Sequence, residues 1–351
     1  ANAYAPLLTY AVLVGENLDN GWEHADLDKG AGLGTQQRAA RNRDSGKVSL
    51  LLPPELDEAN GVISLDGTPT PALWQLAVDI RLSHKQVLRD EERADYLTDA
   101  LGYSIVQTTD ATKTYSSGTY VKPEEDSLLF EGVAEREETE PALISTAKAI
   151  SRYEQEGVLA HIGRREHYGN LKGSNQFEEE RVGIVAGSQH YGDDYVERWG
   201  ALSGEHIERV GHGKGLDLNY GEFGNKVLRH MREHEVLQAV LRFGRNEFPT
   251  TVYVHTAALP EWIPVEAEGH IERWSKGAQE VVEVLEATAP NEWRTTDVAE
   301  EVSISKRQVR TNLNQLADDG YVERREEGRG ITWVVTDETI GRPGRVEFRS
   351  S

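Results

Sequence analysis

The sequence predicts an α/β protein, an open parallel sheet followed by a winged helix-turn-helix module. Three observations predict it. Between residues 140 and 256 short β-rich runs alternate with helical runs, the order that builds a parallel sheet covered on both faces. From 277 onward, three helical runs lead into two β-rich runs joined by a glycine-bearing turn. A length of 351 residues leaves room for a substantial core in roughly two or three domains.

The elements follow in order. Residues 7–14, Leu-Leu-Thr-Tyr-Ala-Val-Leu-Val, suit a buried strand, and the glycine- and aspartate-rich sequence to 46 reads as loop with one short helix. Strands are expected at 48–52 and 62–65, separated by Pro53-Pro54 and Asn60-Gly61. Pro71 opens a helix over 71–78. A charged helix at 86–101 and a strand at 104–108 close a first unit, 1–108. The acidic stretch 109–139 reads as a linker or surface excursion. The second unit, 140–265, holds strands at 142–146, 159–162, 182–186 and 251–256, with helices from 147 to about 155 and over 225–243. In the third, 270–340, helices are expected at 277–289, from about 295 to 302 and at 305–318, followed by a hairpin of 321–324 with 331–335.

Composition narrows the function. Sixty acidic residues against 38 basic give a net charge of −22, which excludes a uniformly basic nucleic-acid coat but leaves room for a local groove. The acidic residues are scattered and only 11 of the basic ones are Lys, a pattern expected where salt screens a self-repelling surface. There is no cysteine, so disulfides and thiol chemistry are absent. No apolar run reaches the 18 or so residues of a membrane span, and no signal peptide opens the chain, so a cytoplasmic protein is expected. The one methionine is Met231, so residue 1 is not an initiator; a processed start or a fragment both fit.

Candidate sites fall in two places. On the third helix of the last unit, the second of the two that flank the turn, Lys306, Arg307, Arg310 and Asn314 lie off the apolar stripe of Val309, Leu313 and Leu316, placed to meet phosphates and base edges. Arg324, Arg325 and Arg329 add charge on or near the hairpin. Residues 270–351 carry 12 basic and 16 acidic side chains, less acidic per residue than the remainder without being basic. A protein-docking version of the same module is the alternative. In the main unit, Gln238 and Arg242 share a helix face and Arg245 follows at its end, suited to a triphosphate or equally to a solvated helix terminus. The loop 167–175 offers Asn170, Lys172, Ser174 and Asn175 as donors to phosphates, and 187–194 leaves the carboxyl end of a strand, where open sheets place ligands. His161, His167, His190 and His212 lack the spacing of a metal site.

The segment 64–70, with Asp66-Gly67-Thr68-Pro69, resembles the strand-and-loop coupling motif of superfamily 2 helicases. Residues 142–256 resemble that family's second RecA-like lobe, with 167–175 and 187–194 in place of its nucleic-acid and coupling motifs. Gln238, Arg242 and Arg245 resemble its last motif. The resemblance implies RecA-like lobes (here one parallel-sheet lobe and a partial remnant of a first), ATP and Mg²⁺ between them, and a nucleic-acid strand across the top. It implies ATP-sensing or finger roles for Arg242 and Arg245 and a coupling role for Asp66, Gly67 and Thr68. The acidic style resembles helicase-like proteins of salt-loving archaea and their plasmids or viruses. One feature departs from the pattern: no Gly-x-x-x-x-Gly-Lys-Ser/Thr loop occurs, and in 28–34 the lysine precedes the glycines. Asp57-Glu58 sits in a turn-like stretch rather than an acidic box. The expectation is therefore the C-terminal part of an ATP-dependent DNA helicase or translocase, inactive without a missing N-terminal ATPase lobe. The alternative is a non-catalytic winged-helix DNA-binding regulator of replication or transcription; an interaction scaffold is a third reading.

Overall fold

A computed structural model describes residues 4–27, 37–56, 58–171, 173–246, 249–287, 292–318, 320–327, 330–336 and 344–350. The chain opens with helix α1 (Ala5–Val14), not the expected buried strand. An apolar run of this length has no decisive period, and Pro6 in the first turn suits a helix start. Only Ala11 of this helix is buried; Leu7 and Tyr10 pack on the sheet that follows.

Strands β1 (Glu16–Asn17), β2 (Trp22–Asp26), β3 (Arg38–Asn42) and β4 (Val48–Leu51) make an antiparallel meander in that order. This corrects the partial parallel lobe expected over 1–108. Residues 62–65 form no strand, and Ile63 and Leu65 are about nine-tenths exposed. Helices α2 (Pro71–Val78) and α3 (Asp90–Asp95) occur where expected, α3 running on as a π turn to Ala100.

The main sheet has seven strands. Strand β5 (Tyr103–Gln107) belongs to it, so the sheet crosses the boundary expected at 108. Next comes helix α4 (Pro123–Glu137), inside the stretch expected to be an excursion. Its three first-turn acids suit a helix N-terminus, and Leu128, Leu129, Phe130 and Val133 are buried. The acidity of the stretch masks that stripe.

Strand β6 (Ala142–Ser145), helix α5 (Ala147–Glu156), strand β7 (Arg165–His167) and strand β8 (Val182–Ala186) follow; the strand expected at 159–162 is replaced by β7. Thr146 caps α5 by accepting the Ala149 N–H at 3.2 Å. Helix α6 (Asp193–Ser203) then leads to one long helix in three pieces: α7 (Gly221–Arg229), a π turn His230–His234, and α8 (Glu235–Val240). Strands β9 (Thr250–His255) and β10 (Ala267–Arg273) complete the parallel set.

Strand order across the sheet is β14-β10-β5-β9-β8-β6-β7, all parallel except the edge strand β14 (Gly344–Ser350), which runs antiparallel to β10. The side-chain period of two sorts the core. Tyr103, Ile105, Val252 and Val254 face α8 and Phe243, whereas Val106, Tyr253, Leu143 and Ile184 face α4 and α5. Burying each such aliphatic side chain contributes about 1.5–3 kcal/mol. The small meander docks on α6 through Trp22 Nε1 donating to Glu197 at 3.1 Å, and His24 Nδ1 lies 2.7 Å from the Ala201 carbonyl.

Between β10 and β14 lies the winged module. It comprises α9 (Lys276–Ala287), β11 (Glu292–Arg294), α10 (Thr295–Glu301), α11 (Lys306–Asp318), β12 (Val322–Glu327) and β13 (Gly330–Val335). Its three strands pair antiparallel in the order β11-β13-β12. Val281, Leu285, Val298, Val309, Leu313, Leu316 and Trp333 form its own core. The protein is thus a mixed α/β fold with winged-helix elements in its C-terminal region. Among the described residues no helix is long and apolar enough to cross a membrane.

Candidate nucleic-acid interface

The module positions α11 through its turn. Ser303 donates from its N–H and hydroxyl to Glu280 Oε2 and Oε1 at 2.7 and 2.8 Å, and these bonds hold the Glu280 carboxyl below its ordinary pKa. Ile304 packs over Gly277, where an added Cβ would lie 2.8 Å from its Cγ2. Ser305 then starts α11 with a reciprocal cap: its N–H and hydroxyl both donate to Gln308 Oε1, at 3.1 and 2.7 Å, and its Oγ accepts the Gln308 N–H at 3.4 Å. Ser305→Ala should destabilise the module by about 1 kcal/mol, read as a lower denaturant midpoint. An unchanged midpoint would show that the cap contributes nothing.

Burying Val309, Leu313 and Leu316 turns the opposite side of α11 outward. Lys306, Arg307 and Arg310 are exposed and form no ion pair or side-chain hydrogen bond with any described residue. Asn314 is half-buried and lines a groove between α11 and β12 with Gly320, Glu323 and Arg324. Arg310 and Asn314 are four apart, so they share a face. Trp333, fully buried, anchors the hairpin beneath by donating from Nε1 to Thr295 Oγ1 at 3.0 Å. On the hairpin Arg325 is committed to Glu323 at 2.7 Å and Glu292 at 3.6 Å. Arg329 lies outside the described residues.

The main-sheet candidates form a second group. Gln238 Nε2 donates to Thr68 Oγ1 at 2.8 Å, so the segment 66–68 does meet this helix. Asp66 accepts from the Thr68 N–H at 2.9 Å and from Trp74 Nε1 at 2.8 Å, and the Gly67 carbonyl accepts from Arg93 at 3.3 Å. Asp66, Gly67, Thr68 and Arg93 line a cleft of about 370 Å³ with His234 and Trp262. Burial, then repulsion from His230, pushes the His234 imidazole down to about 4.

Arg242 donates to the Ser174 carbonyl at 3.3 Å, joining the helix end to the loop 167–175. Arg245 returns to its own helix at the Leu241 carbonyl, 3.0 Å away. Asn170 is exposed and donates to Glu166 at 3.3 Å; Asn175 is exposed, and Lys172 is outside the described residues. In 187–194, Ser188 donates to the Thr112 carbonyl at 2.6 Å and the His190 N–H to Ser116 Oγ at 2.8 Å. Each arginine expected to sense ATP is therefore bonded to a backbone carbonyl. Among the described residues no group of three or more His, Cys, Asp or Glu could hold a metal ion.

The sequence reading missed the Glu280 clamp on the turn and the Gln308 half of the cap. The Ser-x-x-Gln spacing of 305–308 was the available signal for the cap. A carboxylate 23 positions before its serine leaves no local pattern.

The family model for FaeA-like protein matches residues 278–336, from α9 to the end of β13. No curated protein matches the chain. A solved structure described as that of a type III plasmid segregation TubR mutant is similar at 25% identity over 19% of this chain and 70% of that one, with a TM-score of 0.17. The family match overturns the superfamily 2 helicase resemblance: the C-terminal segment is similar to a FaeA-like protein, and no RecA-like lobe is confirmed. With it go the ATP and Mg²⁺, the absent ATPase lobe, and the motor roles of Gln238, Arg242, Arg245 and 66–68. Nothing in that match supports a salt-loving archaeal source either.

Proposed function

We propose that this chain is a non-catalytic DNA-binding regulator of replication or transcription, whose winged module contacts duplex DNA through α11. The observation that carries this reading is the uncommitted polar face of α11: Lys306, Arg307 and Arg310 have no intramolecular partner among the described residues, on the helix that follows the clamped turn. Such a face fits the major groove, where a guanidinium can pair with guanine O6 and N7 and an amide with adenine N6 and N7. Arg310 and Asn314 are the pair placed for that reading; Lys306 and Arg307 suit phosphates. The likeness of 278–336 to a FaeA-like protein supports the module assignment.

The net charge of −22 makes the electrostatics local, because the rest of the chain repels DNA. Binding should therefore fade steeply with salt, with a log–log slope of roughly −0.9 for each phosphate neutralised. Fluorescence anisotropy of a labelled duplex, titrated with the full chain across a salt series, measures both affinity and slope. Absence of duplex binding at low salt overturns the proposal.

A further inference from the structure

Three side chains that each carry a buried nitrogen with no hydrogen-bond partner lie within electrostatic reach of one another near the carboxyl end of β8. The nitrogens are Nδ1 of His190, Nε of Arg209 and Nε of Arg232. His190 sits on the loop leaving β8, Arg232 in the π turn, and Arg209 in the loop between α6 and α7. The Tyr191 N–H points at Met231 Sδ, 3.2 Å away, which sets 190–191 against 231–232.

The two guanidinium groups grasp one glycine-rich loop: Arg232 Nη1 donates to the Gly215 carbonyl at 2.9 Å and Arg209 Nη2 to the Gly213 carbonyl. Gly211 and Gly215 hold φ of +73° and +60°, which lets the loop turn back toward the arginines. Lys214, between the two grasped carbonyls, is exposed and unpaired among the described residues. Arg232 is only 3% exposed, and neither arginine forms an ion pair with a described residue. Burying a cation without a counter-ion is costly, and a fork of donors is the geometry that suits a tetrahedral anion. Burial lowers the pKa of Arg232, opposed by Glu233, and that of His190, where the two arginines lower it further and the Asp193 carboxylate opposes them. The neighbouring Asp193 carboxylate accepts the Tyr220 hydroxyl at 2.5 Å. π turns recur at functional positions, and open α/β sheets gather ligands at this end.

We propose that His190, Arg209, Arg232 and Lys214 form a binding site for a phosphate group, separate from the winged module. A free phosphate ion and a phosphate of a nucleic-acid backbone present the same chemistry, and the experiment separates them. Inorganic phosphate titrated into the full chain at constant ionic strength should raise its melting temperature saturably. Lys214→Ala, an exposed change that leaves the fold intact, should weaken the apparent affinity several-fold, and Arg209→Met by tenfold or more. An equal response of wild type and both variants, or a response that chloride reproduces, overturns the site. A second arm uses a short oligothymidylate with the chain carrying R307E and R310E, which removes the module's contribution. Oligonucleotide binding displaced by phosphate identifies a backbone phosphate as the ligand. Saturable phosphate binding without it identifies the free ion, and failure of both refutes the proposal.

Discussion

Replacing Arg307 and Arg310 together by glutamate is expected to lower duplex affinity by roughly a hundredfold and to flatten the salt dependence by about two phosphate contacts' worth. Both side chains are exposed and unpartnered among the described residues, so the change removes contacts to DNA without removing contacts within the protein. Each reversal also adds repulsion at the phosphate surface, which is why the loss exceeds that of alanine. Circular dichroism melting of the double variant should match wild type. Anisotropy at matched salt is the decisive measurement; equal affinity would assign this face of α11 to a protein partner.

The second large effect is on stability. Asp126 is completely buried and accepts the hydroxyls of Tyr115 and Tyr153, each at 2.8 Å. Nε2 of the buried His255 lies 3.4 Å from Asp126 Oδ1, and its Nδ1 is 2.8 Å from Thr108 Oγ1. Burial alone would raise the Asp126 pKa. The interactions with His255, the Tyr153 hydroxyl and Lys113 outweigh it, so the carboxyl titrates below the ordinary aspartate value. Its contribution is therefore complete above the unfolded-state pKa, near 3.9, and is lost as pH falls through the lower folded-state value. Asp126→Ala should cost about 3–5 kcal/mol at neutral pH, because it leaves two buried tyrosine hydroxyls without their acceptor and the buried His255 ring without the carboxylate beside it. The penalty should shrink toward acid. Urea denaturation at neutral and acidic pH reads both numbers, and a loss that is the same at every pH would assign the effect to packing alone.

The three helices and the hairpin of the winged module were legible in the sequence, because their signals are local, whereas its third strand β11 was not. Val309, Leu313 and Leu316 recur at helical spacing, Ser305 caps, and a glycine-bearing turn joins the two hairpin strands. The central strands β6, β8 and β9 were equally visible as short apolar runs. What failed was long-range or ambiguous. The apolar run at 7–14 could not choose between helix and strand, and α4 was hidden by the acids of its own first turn. Strand β14 pairs with residues more than 70 positions earlier, which no local pattern records.

The helicase-like spacing misleads for a related physical reason. Gln238 does reach Thr68, and Arg242 does reach the loop at 174, so the spacing that suggested a motor marks real contacts. Those contacts end on a hydroxyl and a carbonyl of the chain itself. A motif is a set of distances along the sequence, and such distances do not say which chemistry occupies them. The arginines of α11 stand out in the sequence by their place off the apolar stripe, whereas the grasped loop at 211–215 leaves no local pattern.

The pairing of β10 with β14 has a mechanical corollary. The winged module leaves the sheet after Arg273 and the chain rejoins it at Gly344, and these two residues face each other across the ladder. A load on the module would therefore enter the body through two neighbouring strand ends at the same point of the sheet. The load would pass onward to β5 and, through Val346 and Phe348, to the α4 layer. The module is thus tethered to the body at two paired residues, Arg273 and Gly344, rather than at one.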